Sequence, residues 1–482
     1  MVSLHEINEE RGEQGRRRSR GADNANNTYR AKGAGVVAED DTTIDTSSSS
    51  NTEKMRKFLL GIGFWVQGLR CFPWLGVNFF LKDGLRVDPS TLQILQSSAN
   101  LPMVAKPFLG IISDSCFIFG QHRIPYIAIG AILQAVSWLA IAIMSGSGIS
   151  FFAVTFYLLL SNFGASIAEV ANDAIVAETS KEPASSKTSK APSSGNLQSF
   201  VWIASSTGGV LGNLVGGVAI DRFSSRAIFF TFGVVAVIQF LITMCIHERS
   251  LKLPKSSSGA GFRKQFSELL AALRKPEISY SIAWFAATFA VVPSLIGTMF
   301  FYQTEHLKIE SSILGISKVI GQAAMLLWGV IYERYLKSVP ARKVITSIQI
   351  SMAILMLSDI LFVKGFYRAL GFPDSLYVMI FSGVLEVMMF TKILPFTVLL
   401  AQLCPPGCEG SVMAFLMSSV ALAMVVSGFF GVALASYFGV TGNNFSGFPM
   451  ALLLQAACTV SPLYWSYYVP DTVKSKTNGK EN

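Results

Sequence analysis

The chain has 482 residues, of which 51% are hydrophobic and 14% charged, with a mean hydropathy of +0.47 and 36 phenylalanines. That balance excludes a soluble globular protein, and despite a net charge of +9 no nucleic-acid partner is expected. No Gly-x-x-x-x-Gly-Lys-Ser/Thr loop occurs, which argues against an ATP-driven pump built from this chain alone.

Residues 1–57 form a tail rich in Ser, Asn, Gly and charge, with GRRRSRG at 15–21 and EDDTTID at 39–45. It lacks the apolar content to fold and is expected to be disordered. Its ten acidic residues match its ten basic ones, whereas transit peptides are poor in acid. A plastid (chloroplast) membrane is therefore one candidate compartment among several.

Twelve windows of about 20 mostly apolar residues follow, the length an α-helix needs to cross roughly 30 Å of hydrocarbon. They are spans 1 to 12, at 58–80, 92–112, 124–145, 149–177, 198–220, 226–246, 278–302, 312–332, 343–363, 375–402, 411–438 and 448–468. Backbone polar groups cannot stay unpaired in lipid, so the segments are expected to be helices in an all-α polytopic membrane protein. With an even number of spans both termini share one side. The loops on that side hold most of the loop Lys and Arg, above all 247–277. The positive-inside rule places that side in the cytoplasm or its organellar equivalent.

The same basic loop divides the chain into a six-helix bundle at 58–247, a basic cytoplasmic linker at 248–277, a second six-helix bundle at 278–469 and a tail at 470–482. The six cysteines lack zinc or redox spacing, and His122, His247 and His306 sit singly at span ends, so neither a metal site nor a cofactor is expected. No nucleophile–base pair is in register, so the chain does not read as an enzyme.

A short pattern recurs every three spans. Span 2 ends Gly110-x-x-x-Asp114, span 5 Gly217-x-x-x-Asp221 and span 8 Gly329-x-x-x-Glu333, while span 11 has Gly431 with Ala435 at the acid position. Repeats of this kind build transporters from inverted units.

The pattern resembles that of the major facilitator superfamily. A closer resemblance lies in GLRCFPWLGVNFFLKDGLRVDP (68–89), LPMVAKPFLGIISD (101–114) with FGQHRIPY (119–126), EVANDAIVAE (169–178), LQSFVW (197–202), and Glu386 and Lys392 ahead of LPFTVLLAQLCPPGCEGSVMAF (394–415). These look like the folate-biopterin transporter family, in a plant-type member, over about residues 56–470. The resemblance implies a major-facilitator fold of two six-helix bundles whose central cavity is lined by spans 1, 4, 7 and 10. It also implies secondary transport of folates or pterins.

Charges inside the spans point the same way, because an ionised group at a helix centre costs about 2.5–3.5 kcal/mol on insertion scales and so faces a cavity or a partner. Gln67, Arg70, Trp74 and Asn78 share one face of span 1, and Asn162, Ser166, Glu169 and Asp173 one face of span 4. Ser382 and Glu386 form a shorter stripe in span 10. The candidate substrate contacts are Arg70, Trp74, Glu169, Asp173, Glu386 and Lys392, and Glu169, Asp173 and Glu386 are the candidate proton-coupling groups. A carboxylate could accept the amide and amine edge of a pterin, a cation could hold a glutamyl tail, and Trp74 could stack on the ring. The bland alternatives are a structural pair between Arg70 and Glu169 or Asp173, and a Lys392 that snorkels to the cytoplasmic face.

Lys318 and Asp359 read as structural charges. Lys106, Gly110, Asp114, Asp221 and Glu333 read as gating and packing residues, with Asp114 expected at the N-terminus of span 11 near Gly410 and Ser411. The partners implied are the lipid bilayer, a folate or pterin, and protons, for a chain acting as a monomer. The rival readings are a porter for another flat or anionic solute and a receptor or scaffold that binds without translocating.

Overall fold

The computed structural model describes residues 38–146, 148–180, 194–251, 262–404 and 409–470. Among the described residues, ten helices are long and apolar enough to cross a membrane. They are Asn51–Gly84, Ile124–Met144, Phe151–Thr179, Ser199–Arg222, Ser225–Cys245, Ser311–Leu336, Ala341–Val363, Asp374–Leu400, Ser411–Tyr437 and Phe448–Tyr467. They occupy spans 1, 3 to 6 and 8 to 12. Spans 2 and 7 are corrected from single helices to broken ones. Span 2 consists of Pro89–Ala99, Leu101–Val104 and Lys106–Ser115, and span 7 of Pro276–Ala290 and Ile296–Phe301.

Pro102, Pro107 and Pro293 account for the breaks, since proline has no N–H to donate and crowds the preceding turn. Lipid tolerates such backbone only where protein supplies the missing partners. The Ala99 carbonyl accepts from Asn162 Nδ2 at 2.6 Å. At the break in span 7, Val292 O accepts from Ser427 Oγ at 2.5 Å and Ser294 N–H donates to Ser427 O at 3.0 Å. Thr288 O, near the end of the half-helix Pro276–Ala290, accepts from Lys392 Nζ at 3.1 Å.

Met1–Phe58 and Leu59–Asn482 form separate contact units. In the first, the helix Ala38–Leu69 begins well inside the segment read as a disordered tail. Once nucleated, a helix extends by one hydrogen bond per residue, here helped by the Glu53–Lys57 pair at 2.6 Å. The rest of that tail, residues 1–37, lies outside the described residues. In the second unit the segment between the bundles contains a helix, Phe262–Leu273, whose Leu269 and Ala272 are buried with Ile278, Trp284 and Leu416. The C-terminal tail beyond residue 470 is likewise undescribed.

Spans 1 and 7 end alike. Each closes in one wide turn, Phe80–Gly84 and Tyr302–His306, in which Leu85 N–H reaches Phe80 O and Leu307 N–H reaches Tyr302 O, both at 3.0 Å. Each then places a basic residue at positive φ, Arg86 at 52° and Lys308 at 55°. The matched sequences are Leu85-Arg86-Val87-Asp88 and Leu307-Lys308-Ile309-Glu310. This is a repeat between the two bundles that the glycine–acid pattern did not expose.

Helix contact within the first bundle is set by glycine at Gly208 on span 5. A Cβ there would stand 2.2 Å from Trp65 O on span 1, whereas at Gly216 it would stand 3.4 Å from Phe72 O. Backbone cannot yield 1 Å without moving the helix, and overpacking of this kind costs about 1–3 kcal/mol. Gly208→Ala is expected to lower the melting temperature of the detergent-purified protein clearly more than Gly216→Ala. Equal losses would show that the seam is not limited by backbone approach.

Candidate substrate cavity and gates

Arg70 lies where the helix Ala38–Leu69 gives way to Cys71–Phe79. Its guanidinium bonds Glu169 Oε1 and Asn162 Oδ1, each at 2.6 Å, and Glu169 Oε2 takes Lys106 Nζ at 2.6 Å. Three elements thus converge: span 1, the face of span 4 legible in the sequence, and the kink of span 2. Asn162 is itself oriented by its bond to the carbonyl that the break in span 2 leaves free. Glu169 is 6% exposed, and two cations share its charge. Asp173, one turn further on, instead lines a separate opening with Gln67, Trp202 and Gln322.

A second cavity, of about 170 Å³, lies between the bundles. Asn78 and Gln96 line it from the first bundle, and Gln303, Lys318, Ser382, Glu386 and Asp359 from the second. Lys318 Nζ bonds Glu386 Oε2, with both side chains about one-third exposed. Met299, Met352, Met356 and Met389 form part of the apolar wall, together with Leu75, Phe300 and further aliphatic side chains. Amide groups are oriented around it, Gln96 Nε2 donating to Asn78 Oδ1 at 2.5 Å and Gln303 Nε2 to Ser382 Oγ at 3.2 Å.

The other candidates fall elsewhere. Trp74 packs half-buried against a hydrophobic core cluster drawn from both bundles. Lys392 does not snorkel: it is 0% exposed, with Nζ 3.3 Å from Thr288 Oγ1 and 4.1 Å from the centre of the Phe289 ring. Pro395 three residues on bends span 10 there and turns the side chain inward, where it caps half-helix Pro276–Ala290.

Gating candidates divide by membrane side. The Asp114 carboxylate takes Arg123 Nη2 at 2.5 Å, and the same nitrogen reaches Glu178 at 2.5 Å, while its helix Lys106–Ser115 packs against Glu409–Tyr437 of span 11. Lys106 belongs to the Glu169 cluster. A Cβ on Gly110 would sit an ordinary 3.6 Å from Val170, one on Gly329 would meet nothing within 4 Å, and Glu333 is exposed. On the opposite side the bundles close tightly. Ser311 Oγ donates to Asp221 Oδ1 at 2.5 Å, and a Cβ on Gly217 would stand 3.0 Å from Gly315 Cα.

Gln93 of span 2 inserts into the break of span 7. It accepts from Gly297 N–H at 2.9 Å and donates to Ser294 O and to Gly428 O, the latter at 2.8 Å. A Cβ on Gly431 would stand 1.6 Å from Ser294 O. Lys82 Nζ then bridges to Glu305 Oε1 at 2.9 Å, joining the two wide turns that end spans 1 and 7.

Sequence reading places Asn162 on the polar face of span 4 but misses Gln93 and takes Lys318 for a structural charge. Lys318 and Glu386 lie 68 residues apart, so no helical spacing links them. Gln93 carries no charge to betray it.

The chain matches the BT1 family over residues 67–482. It belongs to that family. Probable folate-biopterin transporter 7 of Arabidopsis thaliana is 59% identical over 426 residues, covering 88% of this chain and 95% of the relative. Probable folate-biopterin transporter 9, chloroplastic, of the same plant is 40% identical, covering 89% and 80%. Among solved structures the nucleoside transporter NupG matches with a TM-score of 0.64 at 15% identity, covering 86% of this chain and 98% of that one. The fold is that of major-facilitator transporters, and this BT1 chain is a multi-pass membrane protein.

Glu169→Gln removes the anion shared by Arg70 and Lys106, and breaking a buried pair costs about 3–5 kcal/mol. The purified variant is expected to melt at markedly lower temperature, with part of the loss recovered by adding Lys106→Met. Identical melting of the single and double variants would deny the three-way coupling. Glu305 lies beyond the end of span 7, where the hydrogen bond from Lys82 holds its carboxyl below the usual carboxylate range. A depressed carboxyl stabilises the paired form above its ordinary value, and that contribution is lost as pH falls through the depressed one. In a background without native cysteines, labelling of Asn78→Cys by an impermeant thiol reagent from the non-cytoplasmic side, taken relative to the reagent's rate with a free thiol at the same pH, should therefore quicken on acidification. Glu305→Gln should quicken it at every pH, and labelling unaffected by both would remove the pair from the gate.

Proposed function

We propose that this BT1 protein is a secondary active transporter that moves folates or pterins across its membrane by alternating access, coupled to protons. The observation that carries this reading is the inter-bundle cavity, with Lys318 paired to Glu386 and the amides of Asn78, Gln96 and Gln303 around it. A carboxylate can accept the parallel amide and amine hydrogens of a pterin, a cation can take a glutamyl carboxylate, and the methionines of its wall offer polarizable surface to a flat ring. The names printed for the two Arabidopsis relatives support the same substrate class, and the chloroplastic one supports a plastid membrane.

Within this reading Arg70 and Asp173 serve the path from the cytoplasmic side, and Glu386 exchanges Lys318 for substrate. Glu169 acts through Arg70 and Lys106, whose positions it fixes. Trp74 and Lys392 support the spans that carry the site. Opening at the non-cytoplasmic end requires Gln93, Asp221 and Lys82 to leave their partners together, while Lys106, Gly110, Asp114 and Glu333 border the cytoplasmic exit. The protein is expected to work as a monomer.

Labelled folate and labelled biopterin, offered to proteoliposomes at two pH values, test substrate and coupling together. One of the two should accumulate above the level of protein-free vesicles. Arg70→Ala and Asp173→Asn should each abolish that uptake while inserting normally, and wild-type uptake in both would remove them from the path. Glu386→Gln should alter the pH profile of uptake.

A further inference from the structure

Asp359 of span 9 is 5% exposed, lines the inter-bundle cavity, and has no ion-pair partner among the described residues. Its Oδ1 accepts from the Tyr377 hydroxyl at 3.0 Å. That hydroxyl lies 2.9 Å from Ser358 Oγ, which lies 2.8 Å from the Tyr367 hydroxyl. Tyr367 stands in the loop between spans 9 and 10, on the non-cytoplasmic side, next to the exposed Arg368, which pairs with Asp374 at 2.6 Å. An unbroken row of hydroxyls therefore runs from that face to a carboxylate on the cavity wall.

We propose that Asp359 takes up the coupling proton and that Tyr367, Ser358 and Tyr377 form the relay that delivers it from the non-cytoplasmic face. This rests on the proton-coupled reading above. The polarity of the row follows from counting hydrogens. Each hydroxyl has one, Tyr377 gives its own to Asp359, so Ser358 donates to Tyr377 and Tyr367 to Ser358. All three point toward Asp359. A proton from water adds to the Tyr367 oxygen as Tyr367 passes its own to Ser358, Ser358 to Tyr377 and Tyr377 to Asp359. One O–H bond forms at the carboxyl and one breaks at the hydronium ion, and the hydroxyls then rotate back.

Two further features suit the task. Tyr377 is held in a column of rings, stacked on Phe362 at 4.3 Å and on Tyr367 and Phe381 at 5.0 Å each, so its hydroxyl stays in place. Glu169 and Glu386 can change charge only by breaking ion pairs, whereas Asp359 is bonded by a neutral hydroxyl. The other charged groups on its surroundings are Lys318 and Glu386 across the cavity and the Arg368–Asp374 pair at the mouth. Span 12 presents the uncharged Gln455 and Leu452. Proton relays inside membranes are built from buried carboxylates of this kind.

The test compares pH-gradient-driven accumulation with substrate exchange at equal pH, in proteoliposomes containing the full chain and labelled folate or labelled biopterin. In wild type both should occur. In Asp359→Asn the ratio of accumulation to exchange should collapse. Tyr377→Phe, which keeps the ring column and removes one hydroxyl, should lower the same ratio and flatten its dependence on external pH. A wild type that exchanges but does not accumulate overturns the coupling reading and the relay with it. A wild type that accumulates, beside two variants that accumulate equally well, overturns the relay alone.

Discussion

Inside hydrocarbon every charge and every backbone carbonyl must find a partner, and the structure is arranged around that requirement. Arg70, Glu169 and Lys106 bring spans 1, 2 and 4 to one point because none of the three can be left in lipid alone. The same rule governs the broken spans. Asn162, Ser427 and Lys392 each serve a carbonyl that a proline-induced break would otherwise orphan. Residues that look like substrate ligands in the sequence are thus partly structural, and Lys392 is wholly so in the geometry seen here.

The two membrane sides differ in how firmly the bundles meet. At one end Gln93, Lys82 with Glu305, and Asp221 with Ser311 join the bundles, and glycines let backbone approach backbone. The members of the same glycine–acid repeat at the other end, Gly110 and Gly329, are loosely surrounded. One sequence pattern therefore lies at close backbone contact in one place and in open surroundings in another. Alternating access needs such an asymmetry, because the contacts closing one end must be broken to open it.

Charge is distributed unequally between the halves as well. In the first bundle two cations enclose one carboxylate deep in the protein. In the second, Lys318 and Glu386 stand half-open on the cavity beside Asp359, which has a hydroxyl for company. A buried cluster that satisfies itself fixes helices, while a pair that faces open space can trade one partner for a ligand. The cavity chemistry accordingly sits mainly on the second bundle, with Asn78 and Gln96 reaching across from the first.

Several features were legible in the residues. The apolar windows gave the spans to within a few positions, since a helix must bury a fixed length in lipid. The polar faces of spans 1 and 4 followed from helical periodicity, and the quoted motifs carried the family. Proline breaks were less legible. A proline such as Pro107 signals a kink in its own helix, but the unwinding at 291–295 and its stitching by Gln93 depend on where another helix lies. Lys318 reads as a structural charge because Glu386 is on a different span, and Lys392 reads as a substrate contact or a snorkelling cation because the sequence does not say which way a bent helix turns.

The sequence by itself determined that this is a membrane protein of helical spans and which family it belongs to, because length, hydropathy and short motifs act locally along the chain. Only the tertiary structure decided which charges satisfy one another, which face a cavity, and which end of the protein is shut. Those are relations between helices tens to hundreds of residues apart, and an electrostatic partner is chosen by distance in space.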